Sequence, residues 1–192
     1  MQEDIQSFQN VDWKKIFVRG LPMLIVPVAI LILIVLVKSF YFLEYFHVAS
    51  GSAWTGMDLV MGIFFGYIMA GLSPKQRGEV AIRLTPVMLF FMPSITTTTI
   101  TAGLYLIRPL GISIFNPYFI AVGVIVIVMM IQGLGIFLPN ELRVYLEIVH
   151  GSGDVGKIVR LTMMNLRLSL IQLILQIVLI LFMAHFATSV PL

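Results

Sequence analysis

The sequence predicts an all-α protein, a polytopic membrane bundle of five transmembrane helices. The N-terminus is cytoplasmic, the C-terminus lies outside, and short amphipathic helices rest at the interface. Three observations predict this. Hydrophobic residues make up 59% of the 192 positions and charged residues only 11%, against about 25% charged in a soluble domain. Such a chain cannot cover itself with polar surface in water. Its apolar residues fall into five runs, each near the ~20 residues that a helix rising 1.5 Å per residue needs to cross a bilayer. Its basic residues then divide unevenly. Lys14, Lys15, Arg19, Lys75, Arg77, Arg83, Arg143, Lys157, Arg160 and Arg167 fall on one side, and only Lys38 and Arg108 on the other. By the positive-inside rule the richer side is cytoplasmic, and only an odd number of spans preserves the asymmetry.

The first span runs from about residue 21 to 43, with Pro22 in its first turn and Pro27 as a kink. Ahead of it, residues 3–18 form an interfacial helix with Phe8, Trp13 and Phe17 in the headgroups. The start of the chain lacks a small-residue cleavage site and reads as mature protein, not signal peptide. The second span covers residues 46–72, with Asp58 its only charge, and the third covers 85–107, punctuated by Pro93 and a threonine run. The fourth covers 117–138 and is followed by a juxtamembrane helix over 140–150, with Pro139 as the break and Asn140 as the N-cap. The fifth covers 161–187. Connections are short, so residues 1–192 form one membrane domain.

The polar residues inside these spans are the candidates for chemistry. His47, Gly51, Trp54 and Asp58 follow the spacing of one helix face. Small residues along the same helix, among them Ser50, Gly51, Gly62 and Gly66, mark where another backbone approaches. That face therefore turns toward protein. A charged Asp58 at mid-bilayer costs ~2.5–3.5 kcal/mol on insertion scales, so it is expected to be largely neutral and hydrogen-bonded. At comparable depth the other spans place Thr97, Gln132, Gln172 and Gln176, which with Asp58 make an expected intramembrane polar cluster. Asn165, Ser169, Gln172 and Gln176 also share one helix face. The threonine hydroxyls can satisfy themselves on carbonyls of their own helix.

His47 and His185 head and end their spans at the same membrane face. Neutral imidazole ligates haem iron or copper, so both are candidate metal and cofactor ligands, with Trp54 beside the first. A His47–His185 pair requires the second and fifth spans to be adjacent.

The run "HVASGSAWTGMDLVMGIFFG", with His47, Trp54 and Gly56 opening an apolar helix, resembles the histidine helix of the CopD-like membrane proteins. That group includes copper-resistance CopD proteins and HemJ-type protoporphyrinogen oxidases. The resemblance covers residues 47–66 and the small multi-span layout, and it implies haem b binding at His47.

Several classes are excluded. No cysteine is present, which removes thiolate chemistry and covalent haem attachment. Phosphate-binding loops, dinucleotide turns and HExxH are missing from the sequence. The basic residues are scattered, so nucleic acid is not a partner. Expected partners are the lipid bilayer and other membrane subunits or a second copy of the chain. Three readings follow: haem or metal handling in the outer leaflet, a non-catalytic assembly subunit, or a proton-coupled transporter using Asp58. Each places the protein in the cell membrane.

Overall fold

The computed structural model describes residues 13–150 and 154–188. Among these residues every regular element is a helix, and five helical stretches are long and apolar enough to cross a membrane. The first is α1, Trp13–Val37. It begins well before Pro22, so Pro22 and Pro27 are both interior residues and neither interrupts it. It also stops at Val37 and does not run on to residue 43. Lys38 takes φ 56°, the left-handed conformation on which many helices end, and its N–H bonds the Ile34 carbonyl at 3.1 Å. Of the interfacial helix expected over 3–18, the part before Trp13 lies outside the described residues. The part from Trp13 on is the start of α1, with no break before the span.

Ser39 starts the next helix, its hydroxyl accepting from the Phe42 N–H at 3.4 Å. This is α2, Phe40–Leu59, which continues through a π-helical turn, Val60–Phe65, into α3, Gly66–Gly71. The Arg77 guanidinium caps the end of α3, donating to the carbonyls of Leu72 at 2.9 Å and Ala70 at 2.8 Å. Ser73 and Gln76 then form a reciprocal capping box with Pro74 at the first helical position. That start signal sets the beginning of α4, Pro74–Leu106, so the third span starts before the apolar run that began at Thr85.

Asn116 caps α5, Pro117–Gln132, its side chain accepting from the Tyr118 N–H at 2.8 Å. A second π turn, Gly133–Phe137, joins α5 to α6, Leu138–His150. The juxtamembrane helix is therefore a continuation of the fourth span. Pro139 does not break it, because the π turn shifts the bonding register just where proline has no N–H to give. Asn140 lies inside the helix and is not its N-cap. Asp154 caps α7, Val155–Thr188, accepting from the Lys157 N–H at 2.9 Å.

The packing follows the alternation of directions. α1 lies parallel to α4, with the Ser94 hydroxyl donating to the Leu24 carbonyl at 2.9 Å. α2 lies antiparallel to α4, and α7 packs against α2, α4, α5 and α6. Two backbones come close at Gly62, where a Cβ would stand 2.8 Å from the Leu170 nitrogen. Glu147 of α6 and Lys157 of α7 pair where those two helices meet. α4 packs on α6 but scarcely touches α5. The outward faces carry Leu33, Leu36, Ile131, Ile177 and Leu181, all exposed, while Asp58, Gln172 and Gln176 are buried. A surface that greasy around an interior that polar fits a bundle solvated by lipid.

Candidate functional site

The polar residues of the interior are organised by α7. Thr162, Asn165, Ser169, Gln172 and Gln176 recur every third or fourth residue and are all buried. They form one polar column facing the other helices, about 16 Å long from Asn165 to Gln176.

Asp58 stands beside the far end of the column. It is 0% exposed. Its Oδ2 accepts from Gln176 Nε2 at 2.9 Å, and the Ser169 hydroxyl and Trp54 indole are the other polar groups around the carboxylate. Asp58 Oδ1 and Trp54 Nε1 nevertheless make no well-formed hydrogen bond, nor do Gln172 Oε1 and Gln176 Oε1. Buried polar atoms are rarely left so. Three of these atoms, on Asp58, Trp54 and Gln176, sit together around one carboxylate.

Glu141 stands beside the other end. Its Oε1 accepts from Asn165 Nδ2 at 2.9 Å, and Asn165 Oδ1 accepts from Asn140 Nδ2 at 2.9 Å. Glu141 Oε2 and the Thr162 hydroxyl are buried without partners, as is the hydroxyl of Thr85, which lies beside Glu141. Sequence reasoning missed Glu141. In an unbroken α-helix a residue nine positions after Gln132 points roughly 180° away from it. The π turn Gly133–Phe137 takes up extra chain and swings Glu141 back toward the bundle. The available signal was the pair of glycines, Gly133 and Gly135, just ahead of Pro139.

Beside Glu141 and the α7 column, as far as Gln172, lies a cleft of ≈ 310 Å³. Its walls are α4, the α5–α6 span and α7, with Ser169, Gln172, Asn165, Thr162 and Glu141 along the α7–α6 side and Met88, Met92 and Pro93 opposite. Because α4 and α5 scarcely touch, the cleft opens sideways between them. Leu104 and Leu134, at 60% and 53% exposed, form its lips.

The other expected site residues are distributed as follows. Gln176 joins Asp58, and Gln172 lies on the same column and lines the cleft. Gln132 is buried but serves another bond, donating to the Leu168 carbonyl at 2.9 Å. Thr97 is exposed and lines the cleft wall. Thr98 satisfies itself on the Ser94 carbonyl at 2.8 Å.

The second and fifth spans are adjacent, as a His47–His185 pair requires. Each ring nevertheless has a different neighbour. His47 Nδ1 donates to the Thr99 carbonyl at 2.9 Å, and its ring lies over Gly103, where a Cβ would come within 2.8 Å of Cε1. His185 packs against Tyr118, the rings tilted by 49° at a centroid distance of 4.2 Å. Trp54 packs with Ile95 and Met129. Gly51 sits against the Thr99 methyl and Gly56 has nothing within 4 Å, so the two glycines do not frame one slot for a flat ring. Among the described residues no group of three or more His, Asp or Glu side chains could hold a metal ion.

No protein-family model, curated protein or solved structure matches the chain. The functional reading rests on its own residues.

Proposed function

We propose that this protein is a proton-coupled carrier of the cell membrane, with Asp58 as the group that takes up and releases the proton. The observation that carries the proposal is the surroundings of Asp58. One carboxylate oxygen is held by Gln176, the other is buried without a partner, and neighbouring Ser169 lines a cleft that opens sideways. A carboxyl group at such a place can trade its proton as the contents of the cleft change, because an ionised group in low dielectric needs a compensating charge or hydrogen bonds. The polar column of α7 gives Asp58 hydrogen-bonding neighbours on the side of the cleft, Gln176 directly and Ser169 at the cleft wall. The pH dye test uses vesicles reconstituted with the protein and challenged with cationic, neutral and anionic lipophilic solutes. One class of solute is expected to drive proton movement, and Asp58→Asn is expected to lower that movement at least tenfold. If no solute moves protons, the carrier reading fails and a non-catalytic assembly subunit takes its place.

The haem reading keeps one favourable observation. A carbonyl partner makes His47 Nδ1 the protonated nitrogen and leaves the lone pair on Nε2, the tautomer that ligating histidines commonly adopt. A Soret band that disappears in His47→Ala would favour it.

The orientation is part of the proposal. The ten-to-two division of basic residues places the Ser73 turn in the cytoplasm and the loop carrying Ser113 outside. Cysteines introduced singly at Ser73 and Ser113 are expected to react with an impermeant maleimide from opposite sides of the membrane. Labelling of both from one side would sink the topology.

A further inference from the structure

We infer that the sideways-opening cleft is a binding site for a lipophilic cation, which enters from the bilayer between α4 and α5 and sets its charge against Glu141. For transport this rests on the carrier reading above. For binding it stands on the cleft alone.

Access comes first. α4 and α5 scarcely touch, and the lips of the cleft are the exposed Leu104 and Leu134. A molecule already dissolved among lipid chains reaches the interior without crossing a polar surface. Along α4 the cleft runs from Leu84 to Leu104, ~30 Å of helix, so an elongated or multi-ring apolar body can be accommodated. Met88, Met92 and Met130 contribute to the walls. Their unbranched, polarisable side chains reshape around varied apolar surfaces.

Charge decides the class. Among the described residues that line the cleft, Glu141 is the only charged one, and none is basic. Of the free polar atoms the carboxylate and amide oxygens are acceptors, and the Thr162 hydroxyl can accept as well as donate. Glu141 Oε2 and Gln172 Oε1 are buried and without partners, as is the Thr162 hydroxyl oxygen, and all three residues line the cleft. An anion would meet a carboxylate and no compensating cation. A hydrocarbon would leave every acceptor unsatisfied. A cation meets the carboxylate in a low-dielectric setting, where the attraction is strongest. Glu141 is also held for the task. Asn165 fixes its Oε1 and Asn140 fixes Asn165, while Oε2, with the Thr85 hydroxyl beside the carboxylate, makes no well-formed hydrogen bond. The π turn Gly133–Phe137 forms part of the wall. Such turns often mark functional sites in helices, and this one is what turns Glu141 inward.

Tetraphenylphosphonium and tetraphenylborate test the inference, because they share a shape and differ in the sign of their charge. Equilibrium binding is measured on the full chain in lipid nanodiscs of zwitterionic lipid, with protein-free nanodiscs subtracted. Tetraphenylphosphonium is expected to bind saturably and tetraphenylborate at least tenfold more weakly. Glu141→Gln is expected to weaken tetraphenylphosphonium binding at least tenfold, while Glu44→Gln, on the exposed surface of α2, leaves it within twofold. A photoreactive phosphonium is expected to label peptides from α4 and α6. Equal binding of both ions, no saturable binding of the cation, or labelling confined to α1 would each overturn the inference, and none of these needs a variant to fold. Glu141-dependent binding in a protein that moves no protons would leave the cleft assignment standing and the carrier reading overturned. Asp58-dependent proton movement with cation binding indifferent to Glu141 would do the reverse.

Discussion

Gly62→Ala is expected to destabilise the bundle by about 3 kcal/mol or more, whereas Gly56→Ala on the same span is expected to stabilise it slightly. The two substitutions add the same methyl group to the same kind of backbone. At Gly56 that methyl meets nothing within 4 Å, and alanine is about 1 kcal/mol better than glycine in a helix. At Gly62 it would stand 2.8 Å from the Leu170 nitrogen and 3.0 Å from the Leu170 Cα. Those are backbone atoms of α7, and a helix cannot move a single backbone atom aside as a flexible side chain can. The π turn and α7 would have to separate. Overpacking of a well-packed interior costs roughly 1–3 kcal/mol when side chains can adjust, and here the whole contact must shift. The separation would also draw Asp58 away from Gln176. Thermal melting in mild detergent reads both effects. A Gly62→Ala protein that melts no lower than Gly56→Ala would mean that α7 does not lie where the polar column requires.

The legible part of this chain was the part governed by length and polarity. Five spans follow from apolar run length alone, and the burial of Asp58, Trp54, Gln172 and Gln176 follows from helical spacing. Gly62 as a close-approach residue follows from its lack of side chain. The boundaries were less legible because local chemistry sets them. Lys38 ends α1 by adopting a left-handed conformation, which lysine seldom marks in a sequence. Ser73 and Gln76 start α4 inside a polar stretch that hydropathy alone leaves outside the span.

The site was half legible. Periodicity turns Asp58 and the α7 column inward, where the structure buries them, because both lie on regular α-helix. It fails for Glu141, because the π turn ahead of it breaks the 3.6-residue period on which the projection depends. Depth along the membrane put His47 and His185 at one face, yet depth says nothing about azimuth. His47 turns to the Thr99 carbonyl on α4, and His185 turns to Tyr118 on α5.

Asp58 separates glue from chemistry by its two substitutions. Asp58→Asn keeps the size of the side chain and an acceptor oxygen for Gln176 Nε2, which now lies at 2.9 Å. The new amide nitrogen adds a donor on a side chain that already meets Gln176, whose Oε1 lacks one. Its stability is therefore expected to stay within about 1 kcal/mol of wild type. Asp58→Leu removes the acceptor and leaves the Gln176 amide, 2% exposed, with no partner for its donor. An orphaned buried polar group costs about 1–3 kcal/mol, and the branched side chain adds strain next to Trp54. Asp58→Leu is thus expected to melt well below both. Proton movement is expected to be lost in both variants, because neither asparagine nor leucine can carry a titrating proton. A leucine variant as stable as wild type would show that Asp58 does not hold α2 to α7. An asparagine variant that is stable and still moves protons at the wild-type rate would take the proton-binding role away from Asp58 and leave Glu141 as the only carboxylate on the cleft to carry it.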